Sequence, residues 1–206
     1  EWEEGLSKQD IKLAYLPSPG SVRLRLSAVA DDEESKTEIV DHQIAQLLPM
    51  IKDYVFGFER DTLEVVVGFL LKKFGFTVGV AESCTGGYIS HLLTSISGSS
   101  AYYMGSAVTY SYEAKTRVLG VSPEDLQRDG AVSESVAIQM AKGAQKLYNT
   151  DFAIASTGIA GPDGGTPDKP VGTVWIGVAS PDHAFALKYM MGDKRERNFR
   201  KTALQA

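Results

Sequence analysis

A single cysteine, Cys84, stands in 206 residues, so no disulfide framework can brace this chain. A lone thiol fits a reducing compartment, and a cytoplasmic protein is expected. The only histidines, His42, His91 and His183, fall in separate segments without ligand spacing, so neither a metal centre nor a cofactor is expected. No apolar run approaches the ~20 residues that cross a bilayer. The N-terminus lacks the basic and apolar blocks of a secretory signal, and membrane association is not expected. Internal repeats, low-complexity tracts, a P-loop and a dinucleotide fingerprint are all missing. Positive charge is scarce as well: 26 Asp and Glu against 21 Lys and Arg leave a net −5. Residues 1–60 carry the whole imbalance, with 12 acidic and 7 basic side chains, whereas residues 61–206 hold 14 of each. An acidic first part and a neutral remainder give no electrostatic footprint for nucleic acid.

What is present suffices for a proper core, since 43% of residues are apolar. The chain starts at Glu1 and stops at Ala206 within a stretch that reads as helix, which suggests a segment of a longer protein. Phe56-Gly-Phe-Glu-Arg-Asp61 is the expected boundary between a small α+β domain, residues 1–60, and a larger α/β domain, residues 61–206. In the first, Ala14 to Gly20 reads as a Pro/Gly turn, Ser21–Ala28 as a half-exposed strand, Ala30–Lys36 as a charged loop, and Ile39–Val55 as a helix. In the second, Leu63–Phe74 has a helical apolar stripe and Thr62 is placed to cap it. Phe76–Ala81, Ser106–Tyr110 and Asp151–Thr157 read as buried strands alternating with helices, one of them capped by Ser111 and ended by Gly120 and one begun by Ser133. Thr173–Ala179 and Ala184–Met190 read as a terminal hairpin turned at Ser180-Pro-Asp-His183. This order predicts a three-layer α/β/α sandwich with a mixed sheet.

Three of these strands end in hydroxyl-rich turns: Glu82-Ser-Cys-Thr-Gly-Gly87, Thr109-Tyr-Ser-Tyr-Glu-Ala-Lys115 and Ser156-Thr-Gly-Ile-Ala-Gly161. If the strands are parallel neighbours, Ser83, Tyr110, Lys115 and Thr157 converge at the carboxyl edge of the sheet, where open α/β folds bind ligands. A serine needs a base to act as nucleophile, and a desolvated lysine can serve, directly or relayed by a tyrosine hydroxyl. Backbone N–H groups after Ser83 would then stabilise an oxyanion. The competing reading is plain architecture, with Ser83, Thr85 and Thr157 as caps, Tyr110 as core and Lys115 as a solvated helix residue. Cys84 ranks below Ser83 as nucleophile, and His91 reads as a helix-face residue. The glycine-rich loop from Gly158 to Gly172 allows close backbone approach to an anion. Within the charge run from Gly192 to Arg200, which reads as a solvated face, Arg195 or Arg197 can hold a phosphate or carboxylate.

Taken together, Ala81-Glu-Ser-Cys-Thr-Gly-Gly87, Ser97-Gly-Ser-Ser-Ala-Tyr-Tyr103, Tyr110 with Lys115, and Thr157-Gly-Ile-Ala-Gly-Pro-Asp-Gly-Gly-Thr166 resemble the CinA family over essentially the whole chain. The resemblance implies that residues 61–206 are an amidohydrolase converting nicotinamide mononucleotide to nicotinate mononucleotide and ammonia. It implies Ser83 as nucleophile with Tyr110 and Lys115 completing a Ser-Tyr-Lys site. Substrate contacts would come from Glu82, Cys84, Thr85, Gly86, Gly87, Thr157, Gly158, Gly161, Arg195 and Arg197. Residues 1–60, with Ile11–Gly20 and Val22–Leu26, resemble the family's KH-like middle domain. Pro-Ser-Pro-Gly stands there in place of the Gly-x-x-Gly of nucleic-acid-binding KH domains, so RNA is not an expected ligand. Full-length members add an N-terminal nucleotide pyrophosphatase domain, and assembly as a homo-oligomer, a dimer, is implied. A rival of another class is a catalytically silent nucleotide-sensing or partner-docking module.

Overall fold

The computed structural model describes residues 2–6, 10–18 and 20–206. The chain divides into two compact units, Glu1–Glu59 and Arg60–Ala206.

The first unit is α+β. Helix α1 (Trp2–Leu6) precedes an antiparallel hairpin of β1 (Lys12–Ser18) and β2 (Ser21–Ser27), followed by the long helix α2 (Glu33–Ile51). Leu6 and Ile11 are buried, and the Trp2 indole donates to Gln43 of α2. Two expectations are corrected here. The segment from Ala14 does not turn at once: β1 runs through Pro17 to Ser18, because both strands of a two-stranded sheet are edges and a proline can sit where no ladder N–H is required. The charged stretch is not all loop either. Asp32 accepts from the Ser35 N–H at 2.8 Å as an N-cap, and Glu33 and Glu34 complement the positive helix end, so α2 starts inside it.

In the second unit a five-stranded sheet has the order β4-β3-β5-β6-β7, formed by β3 (Val78–Glu82), β4 (Tyr103–Val108), β5 (Phe152–Gly158), β6 (Thr173–Ala179) and β7 (Ala184–Met190). β4, β3 and β5 are parallel neighbours, whereas β6 and β7 form the antiparallel hairpin. Helices α5 (Tyr112–Leu119), α6 (Pro123–Asp129) and α7 (Glu134–Tyr148) cover one face. Helices α3 (Leu63–Phe74), α4 (Tyr88–Thr94) and α8 (Arg195–Gln205) cover the other, which makes a three-layer α/β/α sandwich with a mixed sheet. Among the described residues no helix is long and apolar enough to cross a membrane.

Side-chain size decides how closely the layers approach. The sheet face under α7 presents Ala81, Ala153, Ala155 and Ala179, against Val136, Met140, Ala141 and Ala144 of the helix. At Gly177 a methyl group would lie 2.3 Å from the Ala137 carbonyl, and at Gly143 2.1 Å from that of Leu119, so both glycines are dictated by contact distance. Larger side chains, Val78, Val80, Ile89, Leu93 and Tyr102, fill the opposite layer.

Helix α6 is absent from the sequence reading, which takes Gly120-Val-Ser-Pro-Glu only as a stop. Ser122 accepts from the Asp125 N–H, Pro123 occupies the first turn and two acids follow, a start signal immediately behind a stop. Strand β4 also begins three residues before the expected Ser106, because an edge strand with only one sheet neighbour tolerates small and polar residues.

Candidate active site

Parallel pairing in register brings the ends of β3, β4 and β5 to one edge. Glu82 pairs with Val108 on one side and Ser156 on the other, and the ladder extends through Thr109 N–H to Glu82 O (2.8 Å) and Ser83 N–H to Ser156 O (3.0 Å). All three hydroxyl-rich turns therefore face the same rim.

The first turn is built around Glu82. Fully buried, its carboxylate accepts from Thr85 Oγ1 (2.7 Å), the N–H groups of Gly87 (2.9 Å), Ile89 (3.2 Å) and Ser90 (2.9 Å), and Ser90 Oγ (2.5 Å). Those bonds satisfy the amino end of α4 and bend the chain sharply, with Gly86 and Gly87 at φ +62° and +107°. Thr85 Oγ1 also meets Ser156 Oγ at 2.7 Å, which ties the turn to β5. Glu82 thus positions the turn, and no oxygen of it faces an open site. Replacing it by alanine would orphan buried donors, so Glu82→Ala should lose about 3–5 kcal/mol of unfolding free energy in urea titrations. A loss within ~0.5 kcal/mol would mean that the network carries no weight.

Ser83 and Lys115 meet directly. A helical side chain leans towards its own N-terminus, and α5, capped by Ser111 Oγ on the Ala114 N–H, aims Lys115 back over the β4–α5 turn. Its Nζ lies 3.0 Å from Ser83 Oγ, 2.7 Å from Thr109 O and 3.5 Å from Tyr110 O. Lys115 is 1% exposed, so it is no solvated helix lysine. Burial pushes its pKa from 10.5 down to about 8. Once it is neutral, two N–H bonds can go to the carbonyls of Thr109 and Tyr110, which leaves the lone pair facing the Ser83 hydroxyl.

That shift has a consequence for stability. The unfolded chain keeps the Lys115 proton up to about 10.5, the folded chain only up to about 8. Between those values the unfolded state binds more protons, so stability rises with pH. Relative to Lys115→Met, the wild type should gain up to about 3 kcal/mol between about pH 7 and about pH 11, read from urea midpoints. A pH-independent difference would show an ordinary lysine.

Cys84 packs in a core cluster with Ala160, Val174, Ile176 and Met191, and burial pushes its thiol up to about 12. It stays protonated, and its side chain offers a ligand nothing. The N–H groups of Cys84 and Thr85, by contrast, donate to no backbone carbonyl among the described residues. The amino end of α4 is taken by Glu82, so these turn amides are the donors left beside Ser83.

Tyr110 is not a core residue, and its side chain points away from the Ser83–Lys115 pair to α8. It is 62% exposed, and its hydroxyl accepts from Arg195 Nη2 at 3.3 Å. Among the described residues that hydroxyl makes no bond to Ser83 or Lys115, and only the Tyr110 carbonyl meets Lys115. Arg195 also donates through Nη1 to Gly161 O (2.8 Å) and stacks on Phe199 at 4.9 Å. Arg197, two residues on, is exposed and makes none of these contacts. Thr157 is buried with its hydroxyl donating to Ala131 O (2.8 Å), which anchors the loop before α7. Gly158 lies against Thr173 and Val174 of β6 and leaves no room for a side chain. His91 is on the exposed surface of α4 beside Tyr88. Lys169, in the glycine-rich loop, donates to Asp129 O.

Sequence reasoning missed Ser90, Ser156 and Asn198. Asn198 is 1% exposed and donates to Ala160 O and Gly192 O (3.0 Å each), joining α8 to the loop. It lies in the run read as a solvated face. The apolar Ala203 and small Thr202 that bury that side of α8 come later in the helix and are the only signal available.

Comparison with known proteins gives a consistent result. The CinA C-terminal domain profile matches residues 60–206, and that of the damage-inducible protein CinA KH domain matches residues 3–57. A CinA-like protein from Cytophaga hutchinsonii is 48% identical over 204 residues, 99% of this chain and 49% of its own length. Another from Flavobacterium psychrophilum is 50% identical over 197 residues, covering 95% and 47%. The chain thus spans about half the length of the curated relatives it matches. Among solved structures, the competence/damage inducible protein CihA from Agrobacterium tumefaciens superposes with a TM-score of 0.67 at 40% identity, covering 73% of this chain and 94% of that one. The competence damage-inducible protein A from Klebsiella pneumoniae gives 0.68 at 35% identity, covering 70% and 89%. With both of its units matched and these identities sustained over nearly its whole length, the chain belongs to the CinA family.

Proposed function

We propose that the second unit is an amidohydrolase that converts nicotinamide mononucleotide to nicotinate mononucleotide and ammonia. The observation that carries the reading is the 3.0 Å approach of Ser83 Oγ to a buried lysine whose pKa lies near the working range of a general base. In its neutral form Lys115 takes the Ser83 proton as Oγ attacks the carboxamide carbon. The oxygen of the tetrahedral intermediate, now negative, is stabilised by the N–H groups of Cys84 and Thr85. Collapse breaks the C–N bond, and Lys115 returns its proton to the departing nitrogen, which leaves as ammonia. A nicotinoyl ester on Ser83 remains. Water, deprotonated by Lys115, attacks that ester and releases the carboxylate, and Ser83 recovers its proton.

Arg195 supplies the anion handle. A guanidinium has five N–H groups. Gly161 and Tyr110 take two of them, so three stay available for the ribose phosphate. Arg195→Ala should therefore raise KM about 10- to 100-fold with kcat largely kept, whereas Arg197→Ala should change neither by more than about twofold. Equal effects of the two substitutions would move the handle elsewhere. The activity itself is tested by a coupled ammonia assay on nicotinamide mononucleotide. Tight binding without ammonia would favour a nucleotide-sensing module.

A further inference from the structure

Three chain segments converge on the Arg195 guanidinium: the β4–α5 turn through the Tyr110 hydroxyl, the glycine-rich loop through Gly161 O, and α8, which carries Arg195 and Phe199. Tyr110 is also the residue whose carbonyl stands 3.5 Å from Lys115 Nζ. A single residue thus faces the reacting pair with its main chain and the anion handle with its side chain. The Ser83–Lys115 contact is already direct, so proton transfer between them needs no intermediary.

From this arrangement we infer that Tyr110 is a positioning residue, which fixes the Arg195 guanidinium at a set distance from Ser83 so that a phosphate held there delivers the carboxamide to the hydroxyl. The inference rests on the amidase reading above and departs from a Ser-Tyr-Lys proton relay. Because the tyrosine ring is well exposed, removing its hydroxyl disturbs no core. Loss of the hydroxyl frees the arginine to swing between Gly161 and solvent, and substrate binding weakens while the chemistry of bound substrate is kept.

The test combines two measurements on the wild type, Tyr110→Phe, Arg195→Ala and the double variant. Steady-state ammonia release from nicotinamide mononucleotide should show KM raised about tenfold in Tyr110→Phe with kcat within about twofold. The acid limb of the pH profile should be unmoved, since Lys115 and Ser83 are untouched. On top of Arg195→Ala, Tyr110→Phe should add no further change, as two residues acting through one contact do. A relay gives the opposite split, with kcat down about a hundredfold or more and KM unchanged, and that result overturns the inference. The second measurement needs no turnover: peptide-resolved phenylglyoxal labelling of ligand-free protein should run several-fold faster at Arg195 in Tyr110→Phe. A wild type that releases no ammonia removes the amidase reading alone. In that case faster labelling still upholds the tether, and unchanged labelling overturns it.

Discussion

Ser83→Ala should release no measurable ammonia from nicotinamide mononucleotide, a fall of about 10⁴- to 10⁶-fold in kcat. The size follows from the site, because no second nucleophile is available. Cys84 is adjacent in sequence, but its sulfur lies in the apolar cluster of β6 and α8, with a pKa of about 12. Water could replace the serine only by direct attack under Lys115, which forgoes the acyl-enzyme and its division of one hard step into two. Substrate affinity should change little, since Arg195 and the turn amides stay in place. A titration with the same nucleotide therefore separates a lost nucleophile from a lost site. Stability should also hold to within about 1 kcal/mol, because Lys115 keeps its bonds to Thr109 and Tyr110. Turnover at the wild-type rate in this variant would end the amidase assignment to Ser83.

How much of this was readable beforehand depended on whether the information was local. The mixed sheet was legible because strands alternate with helices and then close in a hairpin. The strand order, which makes β4, β3 and β5 parallel neighbours and puts three hydroxyl-rich ends on one rim, was only a condition of the sequence reading. The hairpin at Ser180–His183 was legible from its turn residues, and the structure closes it through Ser180 on His183. Ser83 and Lys115 were nominated by residue type and spacing, and register turned the nomination into a 3.0 Å contact. What failed was information carried by distant packing. Glu82 reads as a ligand contact beside a candidate nucleophile, yet its oxygens are saturated by donors up to eight residues along. Tyr110 reads as a relay by proximity in sequence, but its side chain leaves the turn on the side of α8, 85 residues away. Arg195 and Arg197 are indistinguishable by composition. Only the facing of α8, set by the buried Asn198, Thr202 and Ala203, turns the first toward Gly161 and Tyr110.

The other large effect belongs to Lys115→Arg. Arginine matches lysine in charge and nearly in reach, so a purely electrostatic or structural role would survive the change in part. A base would not, because a guanidinium holds its proton throughout the accessible range. Turnover should drop about 10³-fold or more, and the residual rate should lose its dependence on a group titrating near 8. In the wild type that dependence has a defined sign. Below about 8 Lys115 is an ammonium that donates to Ser83, the hydroxyl proton has nowhere to go, and kcat/KM should fall about tenfold per pH unit. Above it the amine is free and the rate levels off. Stability provides an independent check, since a lysine in this pocket can relieve its desolvation by releasing a proton and an arginine cannot. Lys115→Arg should therefore be less stable than the wild type at neutral pH, and the deficit should widen as pH rises through about 8, where only the wild type sheds its charge. A Lys115→Arg protein that kept a tenth of the activity, with the same acid limb, would show that the proton leaves Ser83 by another route and that the group near 8 is not Lys115.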